Sequence, residues 1–167
     1  WDGGFGRQVM GETWVNHHGG HGWQSSSGII VEAASKHAIL KGIKDGDVWD
    51  PSDVYTVRLP LPKGCEPLLL GRVLSGMSHD DGPCEAETRD DGTVFDKNNP
   101  MMPVVWTRDY TAEGGKTARV IASTTRASPS GMAACSARVS AGGSPTAPGS
   151  CPSVTRTPSS PSSAAHE

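Results

Sequence analysis

Three imidazoles fall within five residues in the run Asn16-His17-His18-Gly19-Gly20-His21-Gly22. Neutral imidazole is a good ligand for Zn, Cu, Fe or Ni, so a loop that brings these rings together could hold a divalent ion. His17 and His21 have the spacing of one helical face, although Gly19-Gly20 disfavours a helix there. The spacing matches no established zinc motif, and neither a carboxylate nor a fourth donor can be assigned to it. A loop whose histidines cap neighbouring backbone groups accounts for the same residues.

Other residues invite a chemical reading. His37 precedes Ala38-Ile39-Leu40-Lys41-Gly42-Ile43 and is either a helix cap or the edge of an active site. Asp80, Asp81, Asp90, Asp91 and Asp96 sit on turn-forming sequence without the spacing of a calcium loop, so they are read as turn residues. Trp106-Thr107-Arg108 follows an apolar run. In an open α/β sheet, ligands bind beyond the carboxyl ends of strands, which would put Thr107 and Arg108 at a site. Five Trp against two Phe suits stacking on a sugar, and suits a core equally well. There is no GxSxG elbow, P-loop or GxGxxG. Cys65 lies in the proline-flanked Pro62-Lys63-Gly64-Cys65-Glu66-Pro67 with no adjacent base, which argues against a nucleophile.

These residues need elements to hold them. Phe5, Val9, Met10, Trp14 and Val15 fit one face of a short amphipathic helix. Residues 28–33 read as a strand, and residues 38–43 as a helical turn closed by Gly42. Val54-Tyr55-Thr56-Val57-Arg58-Leu59 alternates as a strand does and is stopped by Pro60 and Pro62. Residues 67–74 form the strongest strand pattern, continuous enough for a central position covered on both faces. Residues 75–100 read as a long acidic loop, and residues 103–106 and 118–122 as two further strands. Strands covered on both faces imply helices that this stretch of chain does not supply.

Composition divides the chain in two. Of the 42 residues from Arg126 to Glu167, 32 are Ser, Ala, Pro, Gly or Thr, and none is aromatic. Such a segment cannot bury enough apolar surface to offset its ordering entropy, so residues 126–167 are expected to be a disordered tail. The tail is formally +2, so the −3 of the whole chain leaves −5 on residues 1–125. An acidic unit of that size argues against a nucleic-acid partner held by bulk charge. No apolar run approaches the roughly 20 residues of a membrane span. Cys65, Cys84, Cys135 and Cys151 form no CxxC pair, so neither a disulfide framework nor a thiolate zinc site is expected. The chain begins at Trp1 with no targeting pattern, and neither localisation nor oligomeric state is legible.

Several stretches together resemble the ThuA-like (trehalose utilisation) family, in its planctomycete-type versions. They are Gly4-Phe5-Gly6-Arg7-Gln8 through Gly11-Glu12-Thr13-Trp14, the His-rich loop, and Lys36-His37-Ala38-Ile39-Leu40-Lys41-Gly42-Ile43. Pro103-Val104-Val105-Trp106-Thr107-Arg108 and Gly115-Lys116-Thr117-Ala118-Arg119-Val120 complete the set. Order and spacing match over roughly residues 3–123. The resemblance implies a flavodoxin-like α/β fold related to class I glutamine amidotransferases, and a link to trehalose or other carbohydrate metabolism. It does not by itself imply amidotransfer.

By the same resemblance, His17, His18, His21, His37 and Trp106 lie towards the family's pocket. From these and the residue readings above, His37 and His18 are candidate acid–base residues. Trp14, Trp106, Thr107 and Arg108 are candidate contacts to a small carbohydrate, and His17 and His21 are candidate ligands of a divalent metal. The family's first strands have no counterpart here, and its closing helix is replaced after Thr125 by the Ser/Ala/Pro-rich sequence. The expectation is therefore the C-terminal part of a ThuA-like domain over 1–125, an incomplete copy, with the tail read as a frameshift product or a true extension. The alternatives are a non-catalytic carbohydrate-binding module and a His-loop metal-binding protein.

Overall fold

The apolar run Pro67-Leu68-Leu69-Leu70 becomes part of a nine-residue strand, Cys65–Val73, in the middle of the main sheet. The computed structural model describes residues 3–125 and a two-residue strand at Ser140–Ala141. In chain order the strands are β1 (Asn16–His17), β2 (Ser26–Ile30), β3 (Trp49–Asp50), β4 (Tyr55–Thr56) and β5 (Cys65–Val73). They continue with β6 (Glu87–Thr88), β7 (Val94–Phe95), β8 (Met102–Thr111), β9 (Thr117–Ser123) and β10 (Ser140–Ala141). The main sheet runs β10-β9-β8-β5-β2-β3, while β1-β4 and β6-β7 form two small ribbons.

Every pairing is antiparallel. Helix among the described residues is confined to a π-helical turn at Gly6–Met10 and 3₁₀ turns at Glu32–Ala34 and Ala38–Leu40. This overturns the expected flavodoxin-like, class I glutamine amidotransferase-like α/β sheet. Parallel strands need crossover helices, whereas the hairpin from β8 to β9 needs only a short turn. The continuous apolar pattern of β5 belongs to any strand buried on both faces, whichever way its neighbours run. The amphipathic helix expected near the start reduces to the turn at Gly6–Met10, and Phe5 is left 66% exposed.

The expected helical cover is supplied by irregular chain. Val54 reaches a core with Ala34, Leu40, Leu68, Leu69, Val73, Met102 and Val104. Val57 joins Trp106 and Ala122 in a second cluster, with Met10, Leu61 and Cys65 against it. The segment around β4 therefore lies over the sheet and seals it. Close approach requires glycine at residue 71, where a β-carbon would stand 2.5 Å from Val104 Cγ1 and 2.9 Å from Val54 Cγ2.

The acidic stretch 75–100 contains the β6-β7 ribbon, turned by Asp90-Asp91-Gly92, and Asn98 Oδ1 and Nδ2 tie it to the backbone of Val73. No helix among the described residues is long and apolar enough to cross a membrane. The expected disordered tail at 126–167 lies outside the described residues apart from β10, which pairs with β9.

Candidate functional site

The His-rich loop is fastened to the segment around β4 by backbone. In the β1-β4 ribbon His17 stands opposite Tyr55. The next two amides, His18 N and Gly19 N, both donate to the Val54 carbonyl, at 2.8 and 3.1 Å. That pins the loop across residues 53–55. The loop then closes on itself: Gly20 N donates to Gln24 Oε1 at 2.7 Å, and Gln24 N donates to the Gly20 carbonyl at 2.9 Å.

Gly19 and Gly20 of the loop are contact surfaces. A β-carbon on Gly19 would press on Asp53 Cβ at 3.1 Å, and one on Gly20 would collide with the Trp23 indole. Their absence lets the chain lie flat enough for His21 to return beside His17.

The result is a convergence of His17, His21 and Asp53, the three side chains among the described residues grouped closely enough to hold a metal ion. Asp53 is fully buried at its side chain, whereas those of His17 and His21 are 42% and 68% exposed. Asp53 Oδ2 lies 2.6 Å from His17 Nδ1, and Asp53 Oδ1 lies 3.1 Å from His21 Nδ1. The two imidazole centroids are 5.0 Å apart. A buried carboxylate flanked by two imidazoles can orient both rings.

An aromatic cluster continues from His17. Its ring makes edge contacts with Trp14 at 5.8 Å and Tyr55 at 5.6 Å, and Trp14 meets Tyr55 at 6.4 Å. Trp14 and Tyr55 form part of the wall of a cleft of about 400 Å³, which Trp106, Glu12 and Thr124 also line. Trp106 is 2% exposed, and its Nε1 donates to the Met10 carbonyl at 2.7 Å. The buried carboxylate of Glu12 accepts from Arg7 Nη1 in a very short contact, from Arg58 Nη1 at 3.2 Å and from Thr13 N at 3.1 Å. Thr124 Oγ1 is buried without a hydrogen-bond partner. The cleft thus combines large apolar ring faces with a few polar groups, the usual make-up of a small-molecule site.

The other residues singled out from the sequence are placed elsewhere. His18 Nε2 donates to the Lys97 carbonyl at 2.6 Å, and its ring edge meets Phe95. His37 caps the 3₁₀ turn at Ala38–Leu40, its Nδ1 accepting from Ile39 N at 3.2 Å. Thr107 is buried in the interior of β8 opposite Ile121, not at a strand end. Arg108 Nη1 donates to the Arg7 carbonyl at 2.9 Å and so steadies the approach to Glu12. Of the acidic residues, Asp81, Asp91 and Asp96 accept local backbone amides, as turn residues do.

Four contributors were not singled out from the sequence: Asp53, Tyr55, Glu12 and Thr124. Asp53 lies 36 residues from His17, and the one local sign of it is a carboxylate set immediately before the apolar Val54. No family model, curated protein or solved structure matches this chain.

Proposed function

We propose that the chain binds a small carbohydrate in the cleft lined by Trp14, Tyr55 and Trp106, in keeping with its resemblance to the ThuA-like, trehalose-linked family. The observation that carries the reading is the indole of Trp14, 52% exposed, in the wall of a cleft that also holds Tyr55, Thr13 and Glu12. An exposed indole face offers an apolar platform to the C–H face of a sugar ring. The polar side chains in the same wall, Glu12, Thr13 and Ser123 among them, suit a ligand that brings hydroxyls.

Binding is favoured over glycoside cleavage. That chemistry ordinarily needs two carboxyl groups flanking the bond, and Glu12 is the one carboxylate in the lining among the described residues. Glu12 is, moreover, already engaged by Arg7 and Arg58.

Titration of tryptophan fluorescence with trehalose and a panel of mono- and disaccharides tests the reading. A saturable change is expected, weakened about tenfold by Trp14→Ala, since loss of aromatic contact is worth roughly 0.5–1.5 kcal/mol. Absence of saturable binding across the panel by the folded protein overturns it.

A further inference from the structure

We propose that His17 and His21 bind one borderline divalent ion of the Zn²⁺, Ni²⁺ or Cu²⁺ class through their Nε2 atoms, with Asp53 acting behind them as the orienting group rather than as a ligand. The proposal goes beyond the carbohydrate reading and stands without it.

The first argument is the hydrogen bonding. Each oxygen of the Asp53 carboxylate faces a different imidazole, and faces it at Nδ1. A carboxylate can only accept, so each Nδ1 carries the hydrogen and donates it. In a neutral imidazole this leaves the lone pair on Nε2, the atom available to a metal. A carboxylate that holds a ligating histidine by its other ring nitrogen is a recurring second layer around metal ions, and it fixes both tautomer and ring orientation.

The second argument is the distances. Two ligands on one tetrahedral ion at bonds of about 2.0–2.1 Å stand roughly 3.3 Å from each other. The 2.6 Å between His17 Nδ1 and Asp53 Oδ2 is shorter than that, and both it and the 3.1 Å between His21 Nδ1 and Asp53 Oδ1 are hydrogen-bond distances. The ring centroids, by contrast, suit a shared ion. The imidazole centroids of His17 and His21 are 5.0 Å apart, close enough for one ion to reach a nitrogen of each ring.

The third argument is access. The Asp53 side chain has no exposed surface, while those of His17 and His21 are 42% and 68% exposed. An ion arriving from solvent therefore meets ring nitrogens first. Two imidazoles without carboxylate ligands select against Ca²⁺ and Mg²⁺, which demand oxygen. With two protein ligands, the remaining positions stay open to solvent beside Trp14 and Tyr55, both in edge contact with His17.

The experiment is a Zn²⁺ titration of the ¹⁵N-labelled full chain, followed by long-range ¹H–¹⁵N correlation of the histidine side chains. The expected result is one equivalent bound, with the Nε2 resonances of His17 and His21 shifted to metal-bound values while both Nδ1 atoms keep their hydrogens. Ligation through Nδ1, or no response of these two rings at millimolar Zn²⁺, overturns the proposal. The sugar titration, run without metal, reports on the carbohydrate reading separately.

Asp53→Asn adds a readout that loss of bulk does not mimic. The Asn amide donates to one imidazole, forces that ring into its Nε2–H tautomer and removes its lone pair. Zn²⁺ affinity is expected to fall about 10–100-fold while the variant stays folded by circular dichroism. His79→Ala, at an exposed histidine outside the cluster, leaves affinity unchanged. Unchanged affinity in folded Asp53→Asn counts against the orienting role.

Discussion

The indole of Trp23 lies against the backbone of Gly20, so closely that a β-carbon on residue 20 would stand 2.1 Å from the indole Cε2. Gly20→Ala must therefore displace the ring. Trp23 is 55% exposed and can swing outward, but doing so breaks its cation–π contact with Lys97 Nζ, 5.1 Å from the ring. The expected destabilisation is about 1 kcal/mol, read as a lower urea midpoint, with weaker Zn²⁺ binding because the return of His21 depends on this part of the loop.

Gly71→Ala is expected to cost more, roughly 1–3 kcal/mol, because the new methyl meets core side chains that have nowhere to go. Val104 and Val54 are 2% and 1% exposed, and both stand within 3 Å of the added carbon. Urea unfolding measures the loss. An unchanged midpoint would mean that the sheet and the segment over it are less closely packed than described.

Two ion pairs make a contrast. Glu12 is buried beneath Arg7 and Arg58, whereas Asp109 and Arg119 pair in the open on β8 and β9. Hydrogen bonds to charged groups are worth about 1.5–3 kcal/mol when buried. Arg7 and Arg58 remain partly exposed and rehydrate when released, which lowers that figure. Glu12→Gln is therefore expected to cost roughly 1–2 kcal/mol and Asp109→Asn to leave the unfolding midpoint where it is, although Arg119 holds the Asp109 carboxyl below its ordinary range. Parallel unfolding curves of the two variants decide the matter.

Burial pushes the thiols of Cys65 and Cys84 up, against the opposing pull of Arg108 on Cys65 and of Lys97 on Cys84. For both, the folded protein disfavours the thiolate. Stability from these groups is thus fully present below the unfolded thiol value of about 8.5 and declines as pH rises through the higher folded values. Iodoacetamide should label both cysteines more slowly in the native protein than in urea at pH near 8.5, the gap narrowing as pH rises. Equal rates at that pH would contradict the burial.

The strands were the legible part of the fold. Leu68-Leu69-Leu70, Val104-Val105-Trp106 and Val120-Ile121-Ala122 lie in β5, β8 and β9. Their direction was not legible, because a run buried on both faces reads alike in parallel and antiparallel sheets. The helical reading near the start rested on periodicity alone, while Gly3, Gly4 and Gly6 left little to sustain a helix. The expected strand over 54–59 shrank to Tyr55–Thr56 because Val54 and Val57 both turn inward, three residues apart, which strict alternation does not allow. Two of the three members of the candidate metal cluster were visible, His17 and His21. Asp53 was not, since its partners are 36 and 32 residues away.

Val54 packs its side chain in the core while its carbonyl takes the amides of both His18 and Gly19. Its neighbours on either side, Asp53 and Tyr55, belong to the histidine cluster and the cleft. Interior and surface are therefore riveted at a single residue. A mutational survey scored on ligand binding would flag position 54 as functional, although its side chain never meets a ligand. The histidine resonances, in turn, would report from the surface on how well the interior is packed.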